Sequence, residues 1–301
     1  MDNANSFHDK QTVQMPDHTL TGDIRTHRAF RSEILGNNRN VLVYLPPGYR
    51  RTRTRRYPVL YLQDGQNMFD AATAFGYTEW RADETAERLI EQNLIEPIIM
   101  VAVANIGSER IHEYAPTRGR IEDGKRKRSK GRLRQYGKFL ANELKPFIDT
   151  QYRTLPEAET TGLGGSSLGG LATLVLGLWF PNVFRNLAVM SPSIWWDDCT
   201  IYNMVEKLNE TTRPPLTIWL DTGTREPGWE RAAVLRDKLV ESGWRLHDDL
   251  QYLQAEGADH SERAWSERLE EVLRFLYPPS HAALLPIRRQ VKTEVLRRLP
   301  A

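Results

Sequence analysis

Gly165, Ser167 and Gly169 form a G-x-S-x-G pattern within Thr160-Thr161-Gly162-Leu163-Gly164-Gly165-Ser166-Ser167-Leu168-Gly169-Gly170-Leu171. Apolar and β-branched residues precede the pattern, and the apolar run Leu171 to Trp179 follows it with helical character. A strand, a tight turn and a helix in that order are what a nucleophile elbow requires. The serine takes strained backbone angles there, and glycines two residues to either side leave room for the arriving strand and the departing helix. Its hydroxyl then stands at the carboxyl end of a sheet, over a helix N-terminus, where neighbouring N–H groups can stabilise an oxyanion.

A serine hydroxyl is a poor nucleophile at neutral pH and needs a base oriented by an acid. Behind an elbow of this kind the chain order is serine, acid, histidine. His247, His260 and His281 follow Ser167. His281 lies beyond the last core helix and His247 precedes the last strand. His260, in Gly257-Ala258-Asp259-His260-Ser261-Glu262, sits at a loop-to-helix junction after that strand and is the expected base. The acid must come from Leu220-Asp221-Thr222-Gly223-Thr224-Arg225-Glu226-Pro227. Glu226, in the loop, can reach back to the histidine. Asp221, at the strand end, is expected to fix the turn, for instance by an Asx-type bond at Thr222-Gly223. An oxyanion hole needs two N–H donors: Leu168, after the nucleophile, and Gln66, in the loop Asp64-Gly65-Gln66-Asn67. Trp195, Trp196, Trp80 and Phe69 are candidates for the walls of a substrate pocket. This chemistry needs neither a metal nor an organic cofactor.

The elements that would position these groups alternate. Strands are expected at Thr26–Ser32, Arg39–Leu45, Tyr57–Leu62, Pro97–Ala104, Phe184–Met190, Leu216–Asp221 and Leu250–Leu253, besides the elbow strand. Helices are expected at Trp80–Gln92, Tyr136–Phe147, Arg231–Ser242 and Ser261–Tyr277, besides the elbow helix. Such alternation implies βαβ units, a largely parallel sheet and one α/β unit over residues 24–278. Residues 1–23 are polar and aperiodic, which predicts poor order. Residues 279–301 form a basic amphipathic tail, expected to pack on its own domain or on a second copy of the chain.

In 301 residues, 41 Lys plus Arg balance 39 Asp plus Glu, so charge gives no argument for a nucleic-acid partner. The run Arg118 to Arg134 is strongly basic but lacks interleaved aromatics for stacking bases, and reads as a solvated loop. The single cysteine, Cys199, excludes an internal disulfide and fits a reducing compartment. With no signal-peptide core and no apolar stretch of membrane-spanning length, a cytoplasmic protein is expected.

The chain resembles the putative-esterase family of α/β-hydrolases, which includes esterase D, feruloyl and acetylxylan esterases, siderophore esterases and mycolyltransferases. It is most similar to the predicted cytosolic hydrolases of that family. The resemblance runs through Tyr44-Leu45-Pro46-Pro47-Gly48-Tyr49, Asp64-Gly65-Gln66-Asn67-Met68-Phe69-Asp70, Arg110-Ile111-His112-Glu113-Tyr114-Ala115-Pro116, the elbow, Ser191-Pro192-Ser193-Ile194-Trp195-Trp196, Asp221-Thr222-Gly223-Thr224-Arg225-Glu226 and Ala258-Asp259-His260-Ser261-Glu262. It implies an α/β-hydrolase fold, Ser167 as nucleophile, His260 as base, Glu226 as acid and an oxyanion donor at Gln66. Ser261 stands where many members carry Asn. The expected activity is hydrolysis of a small-molecule carboxylic ester, of short-acyl or aromatic type, through an acyl-enzyme. An acyltransferase would use the same residues, and a binding protein on the same scaffold would not need them.

Overall fold

Apolar side chains alternate along the short central strands, which are buried throughout, so each of these strands feeds two cores. The computed structural model describes residues 17–120 and 128–279. The expectations for residues 1–16, for 121–127 within the basic run and for 280–301 of the tail lie outside them. The strands are β1 (Asp23–Ser32), β2 (Asn37–Leu45), β3 (Val59–Gln63), β4 (Ile99–Val103), β5 (Thr161–Ser166), β6 (Asn186–Met190), β7 (Thr217–Gly223) and β8 (Leu250–Ala255). They form one sheet in the order β1-β2-β4-β3-β5-β6-β7-β8. The β1–β2 and β2–β4 pairs are antiparallel and every other pair is parallel.

The helices are α1 (Ala82–Glu91), α2 (Arg110–Tyr114), α3 (Leu133–Phe139), α4 (Lys145–Gln151), α5 (Leu168–Trp179), α6 (Trp196–Val205), α7 (Glu230–Glu241) and α8 (Glu262–Leu276). Val59 and Tyr61 of β3 join a core built with α3, α5, α6 and α7. Leu60 and Leu62 turn to the opposite core, with Leu89 of α1 and Leu269, Val272 and Leu273 of α8. That two-sided burial is what β–α crossovers impose on a parallel sheet. The fold is the α/β class expected, with helices on both faces.

The expected strands and helices form with ends displaced by a few residues. The helix expected at Tyr136–Phe147 is longer and compound: α3 passes through a π turn at Leu140–Leu144 into α4. Pro146 lacks an N–H, and the π turn loosens the ladder just before it. Two helices were not legible in advance. α2 is only five residues long, and the first turn of α6 carries Asp197, Asp198 and Cys199 at positive φ, a pattern without helical periodicity. At the near end of the N-terminal segment, His18 contacts Asp70, Thr19 donates to Glu79 and the Thr21 N–H donates to Asp83. In the described part of the basic run, Lys130 and Arg132 pair with Glu109. Among the described residues no helix is long and apolar enough to cross a membrane.

Candidate active site

Ser167 lies between β5 and α5 with φ 57° and ψ −124°. A non-glycine residue holds such angles only where its surroundings enforce them. Its N–H donates to the Met190 carbonyl (3.1 Å), and its own carbonyl accepts from the Ser193 N–H (2.9 Å). A Cβ on Gly165 would meet Gln63 side-chain atoms at 2.9 Å, and one on Gly170 would meet the Met190 carbonyl oxygen at 2.6 Å. The glycines around the serine therefore let β3, β6 and α5 close on the turn.

His260 ends the loop after β8, one residue before Ser261, whose hydroxyl caps α8 by accepting from the Ala264 N–H. Its ring stands edge-on to Trp265, with centroids 4.9 Å apart. His260 Nδ1 lies 2.8 Å from Glu226 Oε2. The other carboxylate oxygen, Oε1, accepts from the Ser191 hydroxyl (2.5 Å) and the Gly223 N–H (2.7 Å). Glu226 is buried while His260 is partly exposed. The carboxylate thus has one oxygen fixed by the protein and the other directed at the imidazole.

Ser167 and His260 line the same cavity of about 570 Å3. The Ser167 hydroxyl has Ser193 Oγ as its partner, at 3.3 Å, and makes no direct hydrogen bond to His260. Gln66 lines this cavity too. Its side chain accepts from the Asn105 N–H (3.2 Å), and its carbonyl accepts from the Thr73 hydroxyl (2.8 Å). Among the described residues no acceptor takes the Gln66 or Leu168 N–H. Asp64, at φ 55°, anchors the Gln66 loop: Arg110 grips both its oxygens at 2.7 Å, and Asn105 donates to Oδ1.

Asp221 does not make the Asx-type turn bond expected of it. Glu226 takes the Gly223 N–H instead. Asp221 is fully buried, pairs with Arg268 (3.1 Å) and accepts from Trp219 Nε1 and the Ser191 N–H. Burial raises its pKa, and the Arg268 charge opposes that rise. Arg268 also donates to Ser191 Oγ (2.9 Å), as does Trp265 Nε1 (3.0 Å). Ser191 therefore accepts from two donors and donates its own hydrogen bond to Glu226.

Three of the four expected pocket walls are elsewhere. Trp196 is packed into the core as α6 docks, its indole N–H bonded to Thr117. Phe69 and Trp80 belong to the core beneath α1 and α8. The first cavity is walled instead by Phe75, Gly76, Thr78 and Trp265, with Phe75 78% exposed. Trp195 is 43% exposed and lines a second cavity of about 660 Å3, beside Trp229 and Arg231; His260 borders both cavities. Trp80 acts indirectly: its indole N–H (2.6 Å) and Asn67 Nδ2 (2.8 Å) hold Glu262, a cavity-lining carboxyl whose pKa burial raises.

Ser191, Ser193 and Arg268 escaped the reading of the sequence. The two serines stood in a run noticed for its tryptophans. Arg268 had a signal of its own: it occupies a core-facing position of α8, in step with Trp265, Leu269 and Val272.

The profile of the family described as "Putative esterase" matches residues 32–276. The chain is 23% identical over 270 residues to the "Uncharacterized protein YbbA" of Bacillus subtilis, covering 88% of this chain and all of that one. It is 25% identical over 252 residues to an "Endo-1,4-beta-xylanase/feruloyl esterase" of Xylanibacter ruminicola, covering 82% of this chain and 30% of that one. The crystal structure of the Shigella flexneri enterobactin esterase FES in the presence of enterobactin superposes with a TM-score of 0.68 at 20% identity, over 86% of this chain and 60% of that one. With a match that runs from the end of β1 to the end of α8, the chain belongs to the putative-esterase family and is a carboxylesterase-type hydrolase of the α/β-hydrolase fold.

Proposed function

We propose that residues 24–278 form the catalytic unit of an esterase that cleaves carboxylic esters through a Ser167–His260–Glu226 triad. The observation that carries this reading is the 2.8 Å contact from Glu226 Oε2 to His260 Nδ1, made by a histidine that shares a cavity with the elbow serine. The carboxylate holds a proton on Nδ1 and leaves Nε2 free as a base. As Ser167 attacks the ester carbonyl, its hydroxyl exchanges Ser193 for His260, which takes the proton. The carbonyl oxygen becomes an oxyanion between the N–H groups of Leu168 and Gln66. His260 then returns the proton to the departing alcohol. Water, deprotonated by His260, attacks the acyl-enzyme, and the acid leaves as the acyl–Oγ bond breaks and His260 returns the proton to Ser167.

Phe75 and Trp265 at the cavity support short-acyl or aromatic esters as substrates. The relative from Xylanibacter ruminicola, named as a feruloyl esterase, is in keeping with that choice. The single cysteine suits a cytoplasmic location. A fluorophosphonate probe should label the wild type stoichiometrically and leave Ser167→Ala unlabelled, with loss of activity on p-nitrophenyl acetate. A wild type that neither labels nor turns over activated esters refutes the reading.

A further inference from the structure

His260 stands between two cavities, and the chemistry proposed above uses only one of them. The first is lined by Ser167 and Gln66, the groups assigned to the carbonyl carbon and its oxygen. The second, of about 660 Å3, is lined by neither. His260 and Glu226 form part of its wall, and the segment Ser191 to Trp195 forms another part. Ser193 connects the two: it lines the second cavity, and its hydroxyl lies 3.3 Å from Ser167 Oγ.

An ester has two halves, and the Ser167–His260–Glu226 reading, on which this inference rests, allots them. The acyl carbon must meet Ser167 and its oxygen the Gln66 N–H, so the acyl half belongs to the first cavity. The leaving oxygen must take its proton from His260. A substituent on that oxygen runs along the imidazole, toward the cavity that His260 shares with Glu226.

The walls of this second cavity are selective. Trp195 is exposed and Trp229 is half-buried, so both indoles have open apolar surface beside Arg231. The Glu226 charge is already committed: Oε2 faces His260 at 2.8 Å, Oε1 takes two donors, and Arg268 lies 3.9 Å away. Arg231 is the other charged side chain on the wall, His260 aside. Its carbonyl accepts from the Tyr202 hydroxyl (2.9 Å), and its guanidinium lies against Gly228, in space that a side chain there would fill. Among the described residues no carboxylate pairs with that guanidinium. A free guanidinium offers a bidentate grip on an anion, and open indole surface suits a ring.

We propose that the second cavity receives the leaving half of the ester, and that Arg231 selects an alcohol bearing an anionic group, with Trp195 and Trp229 favouring an aryl one. The preferred substrates are then acyl esters of hydroxylated aromatic acids.

Turnover of p-acetoxybenzoate is compared with that of p-acetoxybenzamide, which has the same shape without the charge. The ratio of their kcat/KM values, set against the same ratio in Arg231→Gln, cancels any general effect on the triad. It should fall about 3- to 10-fold in Arg231→Gln, between the worth of an exposed ion pair and that of a charge-assisted hydrogen bond, and recover in part in Arg231→Lys. Binding is read separately by calorimetry, with p-hydroxybenzoate and p-hydroxybenzamide titrated into Ser167→Ala, where no turnover is needed. The acid should bind more tightly than the amide, and this preference should vanish when Arg231→Gln is added. Should Arg231→Gln not fold, the comparison of the two phenols in Ser167→Ala decides. The same turnover ratio in wild type and Arg231→Gln, or equal binding of the two phenols, overturns the inference and leaves the triad untouched. Charge-selective binding by Ser167→Ala with no turnover of either ester by the wild type supports the anion site and counts against the triad instead.

Discussion

Ser191 Oγ lies 2.5 Å from Glu226 Oε1, the carboxylate oxygen that faces away from His260. The Arg268 guanidinium and the Trp265 indole both donate to the same hydroxyl, which commits its proton to the glutamate. Trp265 also stacks edge-on with His260. One serine thus ties Glu226, the tryptophan packed against His260 and a buried arginine into one unit. The orientation of Glu226 follows from this unit as much as from its own loop.

Ser191→Ala should therefore affect turnover without removing any group that touches substrate. A hydrogen bond to a charged acceptor is worth about 1.5–3 kcal/mol, so kcat should fall roughly 10- to 100-fold with KM little changed. The Arg268 and Trp265 donors left behind should also lower the urea midpoint. Steady-state kinetics on an activated ester provides the check, and an unchanged kcat in a folded variant would show that Glu226 needs no support from Ser191.

Asp221, near the end of β7, and Glu226, in the loop beyond it, should separate cleanly by readout. Glu226→Gln removes the charge that orients His260 and stabilises its imidazolium, so kcat should fall about 10^3- to 10^4-fold with the fold retained. Asp221→Asn leaves the buried Arg268 with only the more distant Glu226 carboxylate, 3.9 Å away, and should cost stability, by up to about 3–5 kcal/mol. Asp221→Asn combined with Arg268→Met should be less destabilised than the sum of the single variants. Urea unfolding and kcat measured on the wild type, the three single variants and the double variant test the assignment; a reversed ranking in kcat would make Asp221 the acid.

The strained turn at Ser167 and the Glu226–His260 contact were legible because a serine on such a turn demands glycine at fixed offsets, and because the order serine, acid, histidine restricts which residues are brought together. The sheet was legible from the buried runs of β3 and β4. The pocket was not. Tryptophan type says nothing of depth, and a helix whose first turn carries three residues at positive φ gave no periodic warning that Trp196 would be core. Phe75 was equally silent, since its exposure depends on a turn with positive φ at Gly76 and Tyr77. Arg268 is the instructive miss: a charge in register with the apolar stripe of α8 marks a buried ion pair in advance.

Gly65 supports the loop that carries Gln66 by having no side chain. A Cβ there would meet the carbonyl carbon of Ala102 at 2.4 Å and the amide nitrogen of Val103 at 2.5 Å, both backbone atoms of β4. Gly65→Ala must displace the loop, because a paired central strand cannot yield. Stability should fall by about 1–3 kcal/mol, typical of overpacking, and kcat should fall more than KM rises as the Gln66 N–H leaves its position. Kinetics and thermal unfolding of the same preparation test this, and wild-type kcat would show that the Gln66 N–H is no part of the oxyanion hole.

Glu262 should leave a signature in the pH dependence of stability. Burial first, and the Asp64 charge next to it, raise its pKa above the ordinary 4.5; the Trp80 hydrogen bond and the charges of Arg110 and His260 oppose them. A carboxyl with a raised pKa in the fold binds its proton more tightly there than in the unfolded chain. Its contribution to stability is therefore greatest below pH 4.5 and declines as pH rises toward the folded value, beyond which it is constant. Glu262→Gln removes that titration while keeping one acceptor for Trp80 or Asn67. The wild type should accordingly lose stability relative to the variant as pH rises from about 4 to 7, with most of the change just above the ordinary carboxylate range. Urea midpoints of the two proteins across that range measure the difference directly. A difference that does not vary with pH, or that grows in favour of the wild type, would mean that the two donors holding Glu262 outweigh its burial.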